Sequence, residues 1–466
     1  MTQAGTQDNP LRVAIVGSGP AGFYAAGHLL KKGREEVVQV DMFDRLPTPW
    51  GLVRGGVAPD HPNIKAVSRV YEKTAKHPEF RFFGNVEVGT DVSRDELFER
   101  YHAIVWAVGA QADRRMGIPG EDLAGSWAAT EFVAWYNGHP DYRELEFDLS
   151  SERAVVVGNG NVAMDVARML ALTPGELRAT DVADHALEAL ERSAIREIVV
   201  LGRRGPAQAA FTNPELLELG EMTDADVHVD PADLDLDPVS RASLEGDGHI
   251  TPRRNVEILT DYSAREPGGK PKRIVLRFLV SPVEIEGDGR VEAVVVARNE
   301  LREEGGALRA VQTEERERIE AGIVFRSIGY RGVEIPGVPF DERSCTIPNA
   351  AGRVLDPESG DHTPGEYAVG WIKRGPSGVI GTNKKDAQET VELMIEDLAS
   401  GRMPEPATPD RGDVETLLRE RKPEHVTYEG WEAIDTHERE RGEPHGRPRV
   451  KLATMQELLE AAARVE

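Results

Sequence analysis

Short apolar runs that end in glycine alternate with stretches of helical composition along much of the chain. Leu11–Gly17 (LRVAIVG) is β-branched at its centre, the pattern of a strand buried on both faces of a parallel sheet. Pro20–Lys32 is rich in Ala, Leu and Lys and predicts a helix, and Val37–Phe43 predicts a second strand, followed at once by Asp44. The pattern recurs: Arg153–Gly158 predicts a strand, Asn161–Leu172 a helix and Glu197–Gly202 a strand, with a further helix near Asp181–Arg192. Ala103–Ala110, Ala321–Tyr330 and Glu366–Gly370 predict more strands, the last followed by a loop and a helix from about Lys384 to Ala399. Ile274–Val280 and Val291–Asn299 read as a hairpin or small antiparallel addition, and Pro267–Lys272 as a loop. The acidic stretch Glu221–Asp247 reads as a surface excursion, and the charged tail beyond Pro404 as a segment wrapping the surface.

Both openings carry glycine fingerprints. Gly17-Ser18-Gly19-Pro20-Ala21-Gly22 is G-x-G-x-x-G between a strand and a helix, the context that motif requires. Gly17 permits the tight turn, Gly19 lets backbone approach a pyrophosphate, and Gly22 lets helix and strand pack closely. Asp44 lies 22 residues after Gly22, where a carboxylate accepts bonds from ribose hydroxyls and repels a 2′-phosphate, which suits FAD or NAD. The second cluster, Gly158-Asn159-Gly160-Asn161-Val162-Ala163, is G-x-G-x-x-A, and its second strand ends in Gly202-Arg203-Arg204 with no acid. Two guanidiniums there grip a 2′-phosphate by bidentate bonds, which selects NADP(H). One site that rejects NADP and one that accepts it describe a flavoprotein, with FAD in the first and NADP(H) in the second.

Composition then narrows the acceptor. The 466 residues suggest two or three domains. The single Cys345 excludes an internal disulfide, a Cys-x-x-Cys redox centre, a tetracysteine cluster and a cysteine-rich zinc site. Electrons on the flavin must therefore leave for an external acceptor or for oxygen. A net charge of −25 argues against nucleic acid and anionic membranes as partners. No apolar run approaches the ~18 residues of a membrane span, and the polar start lacks a signal-peptide core, so a soluble cytoplasmic protein is expected.

The chain resembles the adrenodoxin reductases, the ferredoxin–NADP⁺ reductases built on the glutathione-reductase-like plan. The resemblance rests on Val16–Tyr24, Gly51–His61, Phe83–Gly89, Phe132–Gly138, Gly158–Arg168, Gly202–Pro206, Ala210–Glu215, Ser327–Tyr330 and Gly370–Ile380, and runs from residue 11 to about 450. It implies an α/β fold of two Rossmann-like domains, the NADP domain (110–330) inserted in the FAD domain (1–109 and 331–466). It places FAD contacts on Ala21, Asp44, Leu52, Val86, Trp371 and Gly378, Val379 and Ile380. NADP contacts fall on Asn159, Gly160, Asn161, Val162, Arg203, Arg204 and Glu215. The activity implied is NADPH–ferredoxin oxidoreduction: hydride passes from NADPH to FAD N5, then single electrons pass to a [2Fe–2S] or other ferredoxin, with a monomer expected.

The resemblance also gives His61, Glu215 and Asp165 catalytic parts near the nicotinamide. The plainer readings are a turn residue for His61, a first-turn carboxylate for Glu215, a satisfied buried acid for Asp165 and a core residue for Trp371. Two other functions share the nucleotide sites: an NADPH-dependent flavin monooxygenase or quinone reductase, and a non-catalytic NADP-binding redox sensor. Ferredoxins are usually acidic, so docking onto this acidic chain needs a local basic patch, for which Arg203, Arg204, Lys373, Arg374, Lys384 and Lys385 are candidates.

Overall fold

The computed structural model describes residues 4–245, 250–266, 268–305, 307–408 and 410–465. Residues 1–3, Pro267 of the expected loop and the end of the acidic stretch at 246–247 lie outside them. The chain divides into two compact units. One takes the chain up to Val57, His61–Ala112 and everything from Tyr330 onward; the other takes Ala58–Asp60 and Asp113–Gly329.

The first unit is built on a seven-stranded sheet in the order Asn349–Ala350, Arg353–Leu355, His362–Ala368, Ala103–Trp106, Leu11–Val16, Val38–Phe43, Phe80–Phe83. The last five strands are parallel. Leu11, Val13 and Ile15 face one core with Phe23, Tyr71 and Trp431; Ala14 and Val16 face another with Phe43 and Trp106. Both faces are covered, which is why the strand reads as an unbroken apolar run. The second unit holds a six-stranded parallel sheet ordered Ser126–Ala128, Ile323–Arg326, Arg153–Val157, Glu197–Gly202, Lys272–Phe278, Ala225–Val229. An antiparallel layer of Val280–Glu286, Ala293–Glu304 and Ala307–Glu320 joins it. The fold is α/β with two Rossmann-like sheets.

Three expectations are corrected. Lys272–Phe278 is a strand of the parallel sheet; the antiparallel layer begins only at Val280. The acidic stretch supplies an edge strand and a helix, and its Asp233 is buried, accepting from the Phe278 amide and from Arg298. The tail is structural. Its helices Asp413–Arg421 and Tyr428–Gly442 bring Leu418 and Trp431 into the core, and Glu415 pairs with Arg81, which also holds Asp41. Charge concealed this, because its apolar residues are few and spaced for one helical face.

Candidate functional site

The first glycine turn follows the strand Leu11–Val16 and opens the helix Pro20–Leu29. Gly17 has φ +105, and a Cβ there would lie 2.6 Å from the Ala107 carbonyl. Gly19 caps the helix in extended conformation, and a Cβ on it would meet nothing within 4 Å. The turn thus leaves open space above the Ala21 and Gly22 amides, which have no intrahelical acceptor. That is the cradle a pyrophosphate needs, and the FAD fits it.

Asp44 stands beside this turn, but not free-standing. Its Oδ2 accepts from the Ser18 amide (2.8 Å) and hydroxyl (2.5 Å), and its Oδ1 from the Leu46 amide (2.9 Å). Burial pushes its carboxyl above the ordinary value, and those three bonds oppose the shift. Oδ2 accepts two of these bonds and Oδ1 one, so the carboxylate keeps one acceptor site, on Oδ1, to offer a ribose. Ser18, which sequence reasoning passed over, also takes the Trp50 amide on its carbonyl at 3.0 Å. Trp50 itself has φ +84, a costly conformation for a large side chain, and its ring packs at 4.7 Å from Phe23 and 6.1 Å from Trp431.

The remaining predicted FAD contacts differ in character. Leu52 is exposed, while Val86 is buried and its amide is taken by the Asp44 carbonyl, so its carbonyl is the group left to offer. Trp371 is half-buried, which separates it from the core; its Nε1 donates to the Ser377 carbonyl at 3.1 Å. Gly378 and Val379 are exposed and Ile380 is half-buried. Asp386, which carried no sequence signal, organises this turn. It accepts from the Gly370 amide at 2.6 Å and pairs with Lys373 and Arg374. Asp386 offsets only one of these two charges, so the turn keeps a net positive charge. Lys384 and Lys385 are exposed, and Lys385 reaches Glu389 at 3.8 Å.

The second turn repeats the design. Gly158 has φ +125, and a Cβ on it would lie 2.0 Å from the Ser327 carbonyl. Gly160 caps the helix Asn161–Ala171 in extended conformation beneath open space, leaving the Asn161 and Val162 amides without intrahelical acceptors. The Asn159 Nδ2 is buried with no partner among the described residues, a donor that a bound nucleotide would satisfy. Asn161 turns its Oδ1 to the Thr212 amide at 2.8 Å, and Val162 packs against the core. At the end of Glu197–Gly202, Arg203 and Arg204 are exposed, and neither guanidinium has an acidic partner among the described residues.

The predicted catalytic acids sit elsewhere in this unit. Asp165 lies on the Asn161–Ala171 helix and Glu215 on Asn213–Leu219. Both face Arg168, which is buried and was missed in the sequence. Its Nη2 meets Asp165 at 2.6 Å, its Nη1 meets Glu215 at 3.2 Å and its Nε meets Asp60 at 2.5 Å. Burial works to lower the pKa of the Arg168 guanidinium, but Asp60 and Asp165 raise it well above the ordinary value. An i,i+3 Asp–Arg pair inside the second motif was the available signal. His61 begins the short helix Pro62–Lys65 in the other unit and is buried.

Known proteins resemble this chain over nearly its whole length. The family described as Pyridine nucleotide-disulphide oxidoreductase matches residues 11–199. The chain is 54% identical to NADPH-ferredoxin reductase FprA of Mycobacterium leprae, over 96% of this chain and 97% of that protein. It is 43% identical to the mitochondrial NADPH:adrenodoxin oxidoreductase of Salvelinus fontinalis, over 97% of this chain and 91% of that one. Among solved structures, Mycobacterium tuberculosis FprA in complex with NADPH superimposes with a TM-score of 0.92 at 52% identity, covering 98% of this chain and all of that one. With full-length relatives of this kind, the chain belongs to the NADPH–ferredoxin reductase family.

Proposed function

We infer that the chain is an FAD-dependent NADPH–ferredoxin oxidoreductase, taking FAD at the Gly17–Gly22 turn and NADPH at the Gly158–Val162 turn. The observation that carries this reading is the opposition of the two turns: the Asp44 carboxylate beside the first, and beside the second the exposed Arg203 and Arg204 guanidiniums, without an acidic partner among the described residues. FAD, when bound, supplies hydride acceptance and the release of electrons one at a time.

The protein's own groups do the rest. The Asn159 amide and the Asn161 and Val162 N–H groups orient the NADPH pyrophosphate, and Arg203 and Arg204 select the 2′-phosphate. Ala21, Gly22 and Asp44 fix the other dinucleotide, with Leu52, the Val86 carbonyl, Trp371 and Gly378–Ile380 as its further contacts. His61 is the proposed catalytic residue, holding a proton on its imidazole near the reacting rings. Asp165 and Glu215 act through Arg168 as positioning groups. The partner is a [2Fe–2S] or other one-electron ferredoxin, the working unit a monomer and the compartment the cytoplasm. A single cysteine and no helix long and apolar enough to cross a membrane among the described residues support this.

Anaerobic NADPH added to the yellow protein should bleach the flavin, and rapid mixing with ferredoxin should restore the colour. A colourless protein not restored by FAD removes the reading. NADPH oxidation stimulated by small organic substrates but not by ferredoxin replaces it with an oxygenase or quinone reductase.

A further inference from the structure

We propose that Asn299 is a specificity-determining residue for the 2′-phosphate of NADPH, acting by positioning the turn that carries Arg203 and Arg204. The inference rests on the assignment of those two arginines to the phosphate and identifies what holds them there.

Two adjacent exposed guanidiniums repel each other, and each long side chain is conformationally free. Their power to select a phosphate therefore depends on the backbone beneath them. That backbone is held at both residues, at Arg203 from the antiparallel layer and at Arg204 from Leu279, which leads into it. The Asn299 Nδ2 donates to the Arg203 carbonyl at 2.8 Å, and the Leu279 amide donates to the Arg204 carbonyl at 3.2 Å. The two tethers are themselves joined, since the Asn299 amide donates to the Leu279 carbonyl at 2.7 Å.

Local features show how Asn299 is aimed. The pairing of Ala293–Glu304 with Ala307–Glu320 shifts register between Ala297 and Asn299, a bulge of the sort that redirects a side chain. The neighbouring Arg298 is pinned to Asp233 at 2.5 Å and to the Phe278 carbonyl at 3.3 Å. Leu279 has φ +56, a left-handed conformation that costs a leucine free energy and points to an imposed arrangement. Asn299 is 3% exposed and spends both amide hydrogens, one on Arg203 and one on the Ser281 hydroxyl at 2.8 Å. Its Oδ1 is buried without a partner among the described residues. An unpaired buried acceptor is destabilising, so what the asparagine contributes here is its donors.

The experiment compares Asn299→Leu and Asn299→Asp, which both remove the donors, with Ser281→Ala, which removes only the other acceptor. Binding of 2′,5′-ADP and of 5′-AMP to the FAD-loaded protein is measured by calorimetry, with KM for NADPH and NADH alongside. In Asn299→Leu the 2′,5′-ADP affinity should fall about tenfold while 5′-AMP changes by less than about twofold, the scale of a lost buried hydrogen bond. The same change made in Arg203→Leu/Arg204→Leu should add nothing. Wild-type 2′,5′-ADP binding in both Asn299 variants, equal weakening of both ligands, or the same effect from Ser281→Ala overturns the inference. Retained 2′,5′-ADP preference in Arg203→Leu/Arg204→Leu overturns the phosphate assignment, and this inference with it.

Discussion

Arg168→Met removes the only cation that Asp60, Asp165 and Glu215 share among the contacts described above. The guanidinium is 3% exposed, and four of its contacts to those acids run from 2.5 to 3.3 Å. At an effective permittivity of about 20, one such contact is worth about 4 kcal/mol before desolvation is charged against it. Deleting one member of a buried ion pair costs about 3–5 kcal/mol, because the other charge stays buried and unpaired. Asp60, Asp165 and Glu215 all lose this cation, so we expect a loss of at least about 3 kcal/mol near pH 7, read by urea unfolding. Arg168→Lys should fall between, since a point-like ammonium cannot span three carboxylates. The pH dependence has a definite sign. In Arg168→Met these carboxyls lose a cation that favours their charged forms, so at acid pH the variant's folded state binds more protons than the parent's. The deficit relative to the parent is then largest near neutral pH and shrinks as pH falls towards about 5. A loss below about 1 kcal/mol, or a deficit equal at pH about 5 and about 8, would refute the reasoning.

Other expectations follow from the same geometry. Gly160→Ala should leave the melting temperature unchanged, since a Cβ there meets nothing, yet weaken NADP⁺ by about tenfold or more as the methyl enters the cradle; Gly158→Ala should instead impair folding. The Glu438 carboxylate, fully buried, binds Arg54 at 2.5 and 2.8 Å and Arg449 at 3.0 Å, so Glu438→Gln should cost about 3 kcal/mol and loosen FAD through the Trp50–Val57 loop. Apoprotein titration with FAD checks the second effect. Asp397 is pushed up by burial but drawn down to about 2 by Arg353, Arg402 and Tyr367. Its contribution is present above about 4 and lost as pH falls through about 2, so Asp397→Asn should flatten the acid limb of the stability curve.

Both glycine turns were legible because strand, glycines and helix are contiguous, and Asp44 and Arg203–Arg204 follow at the next strand end. What escaped sequence reading depends on residues distant along the chain. Arg168 meets Asp60 across about 108 positions, and Asn299 reaches Arg203 across about 96, with no spacing rule to connect them. Strand Lys272–Phe278 was misplaced because a buried strand and one arm of a hairpin look alike over seven residues. The tail was misread because burial by a few well-spaced residues is invisible when charged neighbours dominate the composition.

The interrupted course of the first unit bears on how the protein is made. Its central strand Ala103–Trp106 gains its second parallel neighbour only at Glu366–Ala368, about 260 residues later, while the other unit draws all but three of its residues from one continuous stretch. During synthesis the inserted unit can close first, leaving Ala103–Trp106, Leu11–Val16, Val38–Phe43 and Phe80–Phe83 as an open sheet whose apolar edge is Ala103–Trp106. Truncations that stop short of Ala368 should therefore yield a folded inserted unit attached to an aggregation-prone remainder, so that solubility during expression is governed by the last strand to emerge.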